Sequence, residues 1–140
     1  MRVFLDTNVL ASATATRGLC ADLFREVLLS HHLVVSQPML DELSRVLTIK
    51  FGVSSEIVDG VLRLLHQDTT MAAIGTPPEV LLDDEDDLAI LATAIQGRAE
   101  AFVTGDKAVQ ALRQVGEMKI LSPREFWEEL VGQPEAGRGR

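Results

Sequence analysis

Arg2-Val3-Phe4-Leu5-Asp6-Thr7-Asn8 (RVFLDTN) decides how the rest of the chain is read. Arg2–Leu5 is a short apolar strand, and Asp6-Thr7-Asn8 stops it with side chains that can cap whatever follows. The same sentence then repeats along the chain. Leu19, Leu23, Phe24, Val27 and Leu28 recur at helical spacing, and His32–Ser36 (HLVVS) is a second strand. Pro38 opens a helix at its preferred first-turn position, with Met39, Leu40, Leu43, Val46 and Leu47 as its buried stripe. Ser54–His66 is a further helix, with Ile57, Val58, Val61, Leu62 and Leu65 on one side. Thr69–Ile74 is a short edge strand and Gly75–Pro78 a loop. Asp84–Gln96 begins acidic and continues as a helix. Ala101–Thr104 is a strand, Gly105 a turn, and a short helix runs through Leu112. Lys119–Leu121 is the last strand, and Ser122-Pro123 starts a last helix ending near Val131.

Strands alternating with helices predict a parallel sheet covered on both faces, a three-layer α/β/α sandwich with a central, mainly parallel sheet. The expected domain is residues 1–131, and Gly132–Arg140 (GQPEAGRGR) reads as a disordered tail. In such sheets the functional crevice lies outside the carboxyl ends of the strands. Asp6 directly follows the first strand, and Asp106 follows a later one by one glycine. Glu42 lies about one turn into the helix after the second strand, and Asp87 at the start of a helix entering from the same side. The topology therefore assigns all four to one edge. Gathering acids is costly unless a cation or shared protons neutralise them, and the simplest account is a divalent metal site for metal-assisted hydrolysis.

Helical phase, about 100° per residue, separates these acids from their neighbours. Glu42 falls on the flank of its apolar stripe, whereas Asp41 faces water. Asp87 precedes Ile90, Leu91, Ala94 and Ile95 by three, four, seven and eight residues and shares their face, and Asp86 does not. A simpler reading stands beside each assignment. Asp83, Glu85 and Asp86 are a solvated run favoured by a helix N-terminus. Asp84 is a cap or an outer ligand. Asp6 alone is an N-cap and Asp106 alone a turn residue; together, four acids on one edge point to a site. His31 and His32 begin a strand away from that edge, and His66 sits at a helix end as a favourable charge.

Composition bounds the function. The 140 residues are 46% hydrophobic and 24% charged, ordinary for a soluble domain, and only 4% aromatic, so the core is aliphatic. The net charge of −8 and a pI near 4.8 weigh against a nucleic-acid partner, and the thirteen basic residues form no run. A cluster of metal-ligand carboxylates, however, inflates that count and is offset by its ions. One cysteine, Cys20, permits no internal disulfide and fits a reducing cytoplasm; it reads as a helix-face residue. No membrane-spanning stretch and no signal peptide are expected.

The short motifs Leu5-Asp6-Thr7-Asn8-Val9-Leu10, Asp41-Glu42-Leu43, Asp84-Glu85-Asp86-Asp87 with Leu91-Ala92-Thr93-Ala94, and Val103-Thr104-Gly105-Asp106 resemble, in this order, the PIN-domain nucleases. The likeness is greatest to the VapC-like toxin components of toxin–antitoxin pairs and runs from Met1 to about Leu130. The resemblance implies a metal-dependent endoribonuclease whose Asp6, Glu42, Asp87 and Asp106 hold Mg²⁺ or Mn²⁺. It implies Asp84 as an additional acid, and Thr7, Asn8 and Thr104 as polar residues near the site. It also implies RNA as substrate, a small antitoxin partner and a homodimer. The Leu and Val residues of Gln37–His66 exceed what one core face needs; core packing accounts for most of them, and the remainder are candidates for a partner helix.

Two other classes compete. An aspartyl phosphatase wants Asp-x-Asp after the first strand, and Asp6 is followed by Thr7-Asn8 instead. A receiver domain wants its phospho-accepting Asp after a middle strand, where this chain has Ser36-Gln37-Pro38 or Ile74-Gly75. A non-enzymatic interaction module of the same fold would be expected to have lost at least one acid, and none is missing.

Overall fold

A computed structural model describes residues 1–67 and 69–132. The elements in chain order are β1 (Arg2–Leu5), α1 (Thr7–Ala15), α2 (Leu19–Ser30), β2 (His32–Ser36), α3 (Gln37–Arg45), α4 (Ser55–Gln67) and β3 (Thr70–Ala72). They continue with α5 (Glu85–Gln96), β4 (Ala101–Val103), α6 (Lys107–Gln110), β5 (Gln114–Val115), β6 (Met118–Leu121) and α7 (Pro123–Gly132).

The strands form one six-stranded sheet in the order β3-β2-β1-β4-β6-β5, parallel throughout except for the β5–β6 pair. Val3, Phe4 and Leu5 of β1 and Leu33, Val34 and Val35 of β2 are all buried, as strands covered on both faces must be. The chain moves outward from β1 through β2 to β3, then crosses back to β4 and moves outward the other way. Right-handed crossovers therefore place helices on opposite faces in the two halves, which makes the three layers. The direction reverses between β1 and β4, and parallel sheets open their ligand crevice at such a switch point.

The packing that sets this centre is aromatic and aliphatic. Phe4 and Phe102 are register partners on β1 and β4, stacked with ring centroids 5.2 Å apart and planes 4° from parallel. At the opposite edge the Arg2 guanidinium donates twice to the Gly97 carbonyl, at 2.9 and 2.6 Å, tying the end of α5 to the start of β1. Gly97 itself is pressed against the sheet. A Cβ there would lie 2.5 Å from Val34 Cγ1 and 2.9 Å from Ala72 Cβ. Gly97→Ala is therefore expected to cost about 1–3 kcal/mol by overpacking, read as a lower urea midpoint at unchanged slope.

Several expectations need correction. α3 does not end in an ordinary turn but runs into a π-helical turn, Val46–Lys50, which no residue pattern announced. Ile57 and Ile95 were placed on buried stripes, yet they are 55% and 38% exposed; Val58 and Leu65 of α4, and Ile90, Leu91 and Ala94 of α5, are buried as expected, joined by Thr93. Two-residue β5, antiparallel to β6, was not anticipated, because so short a strand carries no periodicity. Gly132 closes α7 and is not part of a tail; the rest of the expected tail, 133–140, lies outside the described residues.

Candidate active site

The described residues that are both buried and polar are Asp6, Thr7, Ser36, Thr93 and Thr104. Four of them stand at carboxyl ends of β1, β2 and β4, and the fifth is held against Ser36. Burying polar groups costs free energy unless they are bonded, so their concentration on one edge marks a built site.

Thr104 is its hinge-pin. Its hydroxyl donates to Asp6 Oδ2 at 2.7 Å and accepts the Asp106 N–H at 3.1 Å. The Asp6 backbone N–H donates to the Val103 carbonyl at 2.9 Å, extending the β1–β4 ladder by one step. The acids at the ends of these two strands are thus held by one side chain. Thr104 was expected only as a nearby polar residue, and its bridging role has no signature in sequence.

The simpler readings of Asp6 and Asp84 as caps hold, and Asp106, read alone as a turn residue, is a cap as well. Asp6 Oδ1 accepts from Thr7 N–H at 2.8 Å and caps α1. Asp84 Oδ1 accepts from Asp86 and Asp87 N–H at 2.8 and 3.2 Å and caps α5. Asp106 Oδ1 accepts from Ala108 and Val109 N–H at 2.8 and 3.2 Å and caps α6. Capping fixes one oxygen of Asp84 and of Asp106, while the second makes no hydrogen bond among the described residues. Asp87 and Glu42 are half-buried, while Asp41, Asp83, Glu85 and Asp86 are exposed, so the phases read from sequence hold. Asn8 is exposed, and its side chain makes no hydrogen bond among the described residues.

Asp84, Asp87 and Asp106 line a cleft of about 570 Å³ together with Asp83, Ala108 and the apolar rim Val80–Leu82. Asp6 and Glu42 are not among the residues that line it. Burial raises the Asp6 carboxyl above the usual carboxylate range, against the lowering hydrogen bonds of Thr104 and Thr7; Glu42 and Asp106 add repulsion. Asp87 is pushed up to about 6, first by burial and then by Asp84, Asp106, Asp6 and Glu42. The predicted acids therefore share one electrostatic field. Among the described residues, no three His, Cys, Asp or Glu side chains are drawn together closely enough to enclose an ion. Repulsion and the three caps account for that spacing. The donor chemistry, oxygen-only and anionic, nevertheless fits a hard divalent cation. One atom near Asp6 also lacks a partner: Thr7 Oγ1 is buried without a hydrogen bond.

Sequence reasoning missed the pair beneath Glu42 and Asp87. Thr93 Oγ1 lies 2.9 Å from Ser36 Oγ and 2.7 Å from the Ile90 carbonyl, locking α5 to the end of β2. The available signal was Ser36 before Gln37-Pro38, a helix cap, and Ser36 Oγ does accept from Met39 N–H at 3.4 Å. Away from the site, Cys20 is a half-buried free thiol whose pKa burial raises, which suits a packing role. His31 Nδ1 sits 3.2 Å from the amino terminus at the far edge.

The Asp87 shift has a measurable consequence in metal-free protein. An acid whose folded pKa exceeds its unfolded 3.8 weakens the fold above the folded value, here about 6. That cost begins to be relieved as pH falls through 6 and is gone near 3.8. The full shift would be about 3 kcal/mol, but Asp87 is only half-buried, and screening by solvent leaves about 1 kcal/mol. In EDTA, the wild-type melting temperature is expected to rise by about a degree between pH 7.5 and 5.5. Asp87→Asn should start higher and rise less, and an identical pH response in both proteins would refute the assignment.

Fold and site together define a class: a mainly parallel α/β protein with an acidic pocket at the switch point of its sheet. Residues 2–108 match the model of the PIN domain family, a span that contains all four motifs, and the chain belongs to that family. No curated protein matches the chain. Among solved structures, VapBC2 from Rickettsia felis bound to a DNA fragment from its promoter is similar at 15% identity and a TM-score of 0.62. That alignment covers 87% of this chain and 98% of the other. VapBC-1 from nontypeable Haemophilus influenzae is similar at 20% identity and a TM-score of 0.58, covering 89% and 99%. At these identities the likeness is one of fold, and it agrees with the three-layer arrangement.

Proposed function

We propose that the chain is a metal-dependent endoribonuclease, the toxin of a toxin–antitoxin pair, hydrolysing RNA phosphodiester bonds in the acidic pocket. One observation carries this reading: the buried polar residues are gathered around mutually repelling carboxylates at the switch point. Asp6, Glu42, Asp87 and Asp106 hold Mg²⁺ or Mn²⁺, with Asp84 as a further ligand. A divalent ion there would neutralise charge on the scissile phosphate and lower the pKa of an attacking water.

The chain's own residues position and orient. Thr104 holds Asp6 and the backbone of Asp106 in one frame. The caps of α5 and α6 aim the second oxygens of Asp84 and Asp106 away from their helices. Glu42 and Asp87 supply the adjustable arms, since their carboxylates are not tied by hydrogen bonds among the described residues. The Val80–Leu82 rim walls one side of the cleft with apolar surface. No histidine lines it, so no imidazole base is part of the reading.

A small antitoxin and a homodimer partner belong to the same proposal. Both similar structures are VapBC complexes, and the Gln37–His66 stretch leaves Ile49 80% and Ile57 55% exposed. Such apolar surface suits an amphipathic helix. Among the described residues no helix is long and apolar enough to cross a membrane, and the lone cysteine suits the cytoplasm.

The decisive test is cleavage of a mixed pool of structured RNAs by purified protein with Mn²⁺, Mg²⁺ or EDTA. Cleavage is expected with either metal and none in EDTA. A folded protein that cleaves nothing, and shows no metal binding by calorimetry, would turn the reading toward an inert binding module.

A further inference from the structure

An acidic chain of net charge −8 must still meet a polyanion at its acidic pocket. Affinity for a phosphate backbone comes from Lys and Arg, so some cations must stand beside the pocket and remain available. One cleft beside the pocket offers two such cations. A second cleft, of about 250 Å³, is lined by Lys107, Gln110, Ala111, Arg113, Ile120 and Glu125. It adjoins the acidic pocket through covalent and hydrogen-bonded neighbours. Lys107 follows Asp106 directly, and the Gln110 side-chain amide donates to the Thr104 carbonyl at 2.8 Å.

We infer that this cleft is a phosphate subsite, in which Lys107 and Arg113 hold the RNA strand one step away from the scissile bond. The inference rests on the nuclease reading above. The ion pairs of the described residues are Arg25–Asp22 and Lys119–Glu129, so both lining cations are uncommitted. Glu125, the acid in the cleft, is occupied elsewhere. Its Oε1 accepts the Ser122 N–H at 2.8 Å, and its own N–H donates to Ser122 Oγ at 3.0 Å, a reciprocal cap on α7. The Ser122 hydrogen bonds hold its carboxyl below the usual range, and Arg113 and Lys107 add to this, so both cations lie within its field. Two positive charges against one negative leave the cleft cationic.

The backbone of Arg113 fixes where its side chain starts. Its φ is 63°, in the left-handed region where glycine is the ordinary choice. It is pinned there: its N–H donates to Gln110 O at 3.1 Å and its carbonyl accepts Ile120 N–H at 2.9 Å. Arg98 shares this conformation, and what sets Arg113 apart is the cleft it shares with Lys107. A guanidinium fork and an ammonium suit phosphate oxygens and carry no sequence information.

The test is equilibrium binding of a 5′-labelled single-stranded oligoribonucleotide in EDTA across a salt series, followed by cleavage kinetics with Mn²⁺. Arg113→Gly removes the guanidinium at a position where glycine relieves strain, so the melting temperature should not fall. Arg113→Gly and Lys107→Gln are each expected to weaken binding several-fold. Each should also reduce the slope of log K against log salt by about 0.7, one phosphate contact. In kinetics the loss should fall on KM more than on kcat. Arg113→Lys should restore most of the slope. Arg98→Gly, matched in backbone (φ 59°) but at the opposite edge of the sheet, should change neither quantity. Wild-type slopes and KM values in both cleft variants of a protein that binds and cuts RNA would overturn the subsite and leave the nuclease standing. A wild type that neither binds nor cuts RNA would overturn the nuclease reading, and the subsite with it.

Discussion

Asp106→Asn is expected to lower RNA cleavage by about 10³-fold or more while the protein stays folded. The choice of asparagine matters. Asp106 performs two jobs with two oxygens: Oδ1 caps α6 through Ala108 and Val109, and the second is open toward the cleft. Asparagine caps a helix about as well as aspartate, so the first job survives and the charge is lost. Alanine would remove both and cost about 1 kcal/mol of stability, which confuses the comparison. Asp6→Asn should behave alike, because burial already disfavours the ionised form of Asp6. The measurement is metal-dependent cleavage beside circular dichroism and thermal melting. Undiminished hydrolysis by either folded variant would sink the assignment of the acids.

The largest expected stability effect is at Phe102. Its ring stacks on Phe4, and both are buried at the centre of the sheet. Side chains alternate along a strand, so Asp6 and Thr104 continue the same face two residues beyond Phe4 and Phe102. The aromatic pair is therefore the floor under the Asp6–Thr104 hydrogen bond. Phe102→Ala should cost about 3–5 kcal/mol, a large share of the roughly 5–15 kcal/mol typical of a domain. A denaturant titration reads it directly, and Phe102→Leu should cost clearly less. A loss below about 1 kcal/mol for the alanine variant would mean that the centre repacks easily and that the stacked pair does not anchor the site.

These two residues also show what a sequence can and cannot disclose. That Arg2–Leu5 and Ala101–Val103 are strands, and that an acid ends each, follows from apolar runs stopped by polar caps. The edge shared by Asp6, Glu42, Asp87 and Asp106 follows from alternation alone, and the half-burial of Asp87 and Glu42 from helical phase. What escaped were relations between distant parts. The Thr104 bridge, the Ser36–Thr93 pair and the stacking of Phe4 on Phe102 depend on which strands become neighbours, and strand order is not written in local periodicity. The π-helical turn at Val46–Lys50 escaped because it arises from one residue too many in an otherwise regular helix. Ile57 and Ile95 were misplaced because an amphipathic stripe is wider than the surface available to cover it.

The Asp6–Thr104 hydrogen bond joins residues 98 positions apart, and that separation imposes an order in time. A ribosome adding roughly 5–20 residues per second takes on the order of 5–20 s to travel from one partner to the other. Throughout that interval β1 can pair with β2 but has no β4 on its other side, and its first acid has no hydroxyl to hold it. A nascent or prematurely ended chain therefore carries strand and acids without a working centre. For a protein proposed to cut RNA, the machinery that makes it is exposed to activity only once the chain has been made through Asp106.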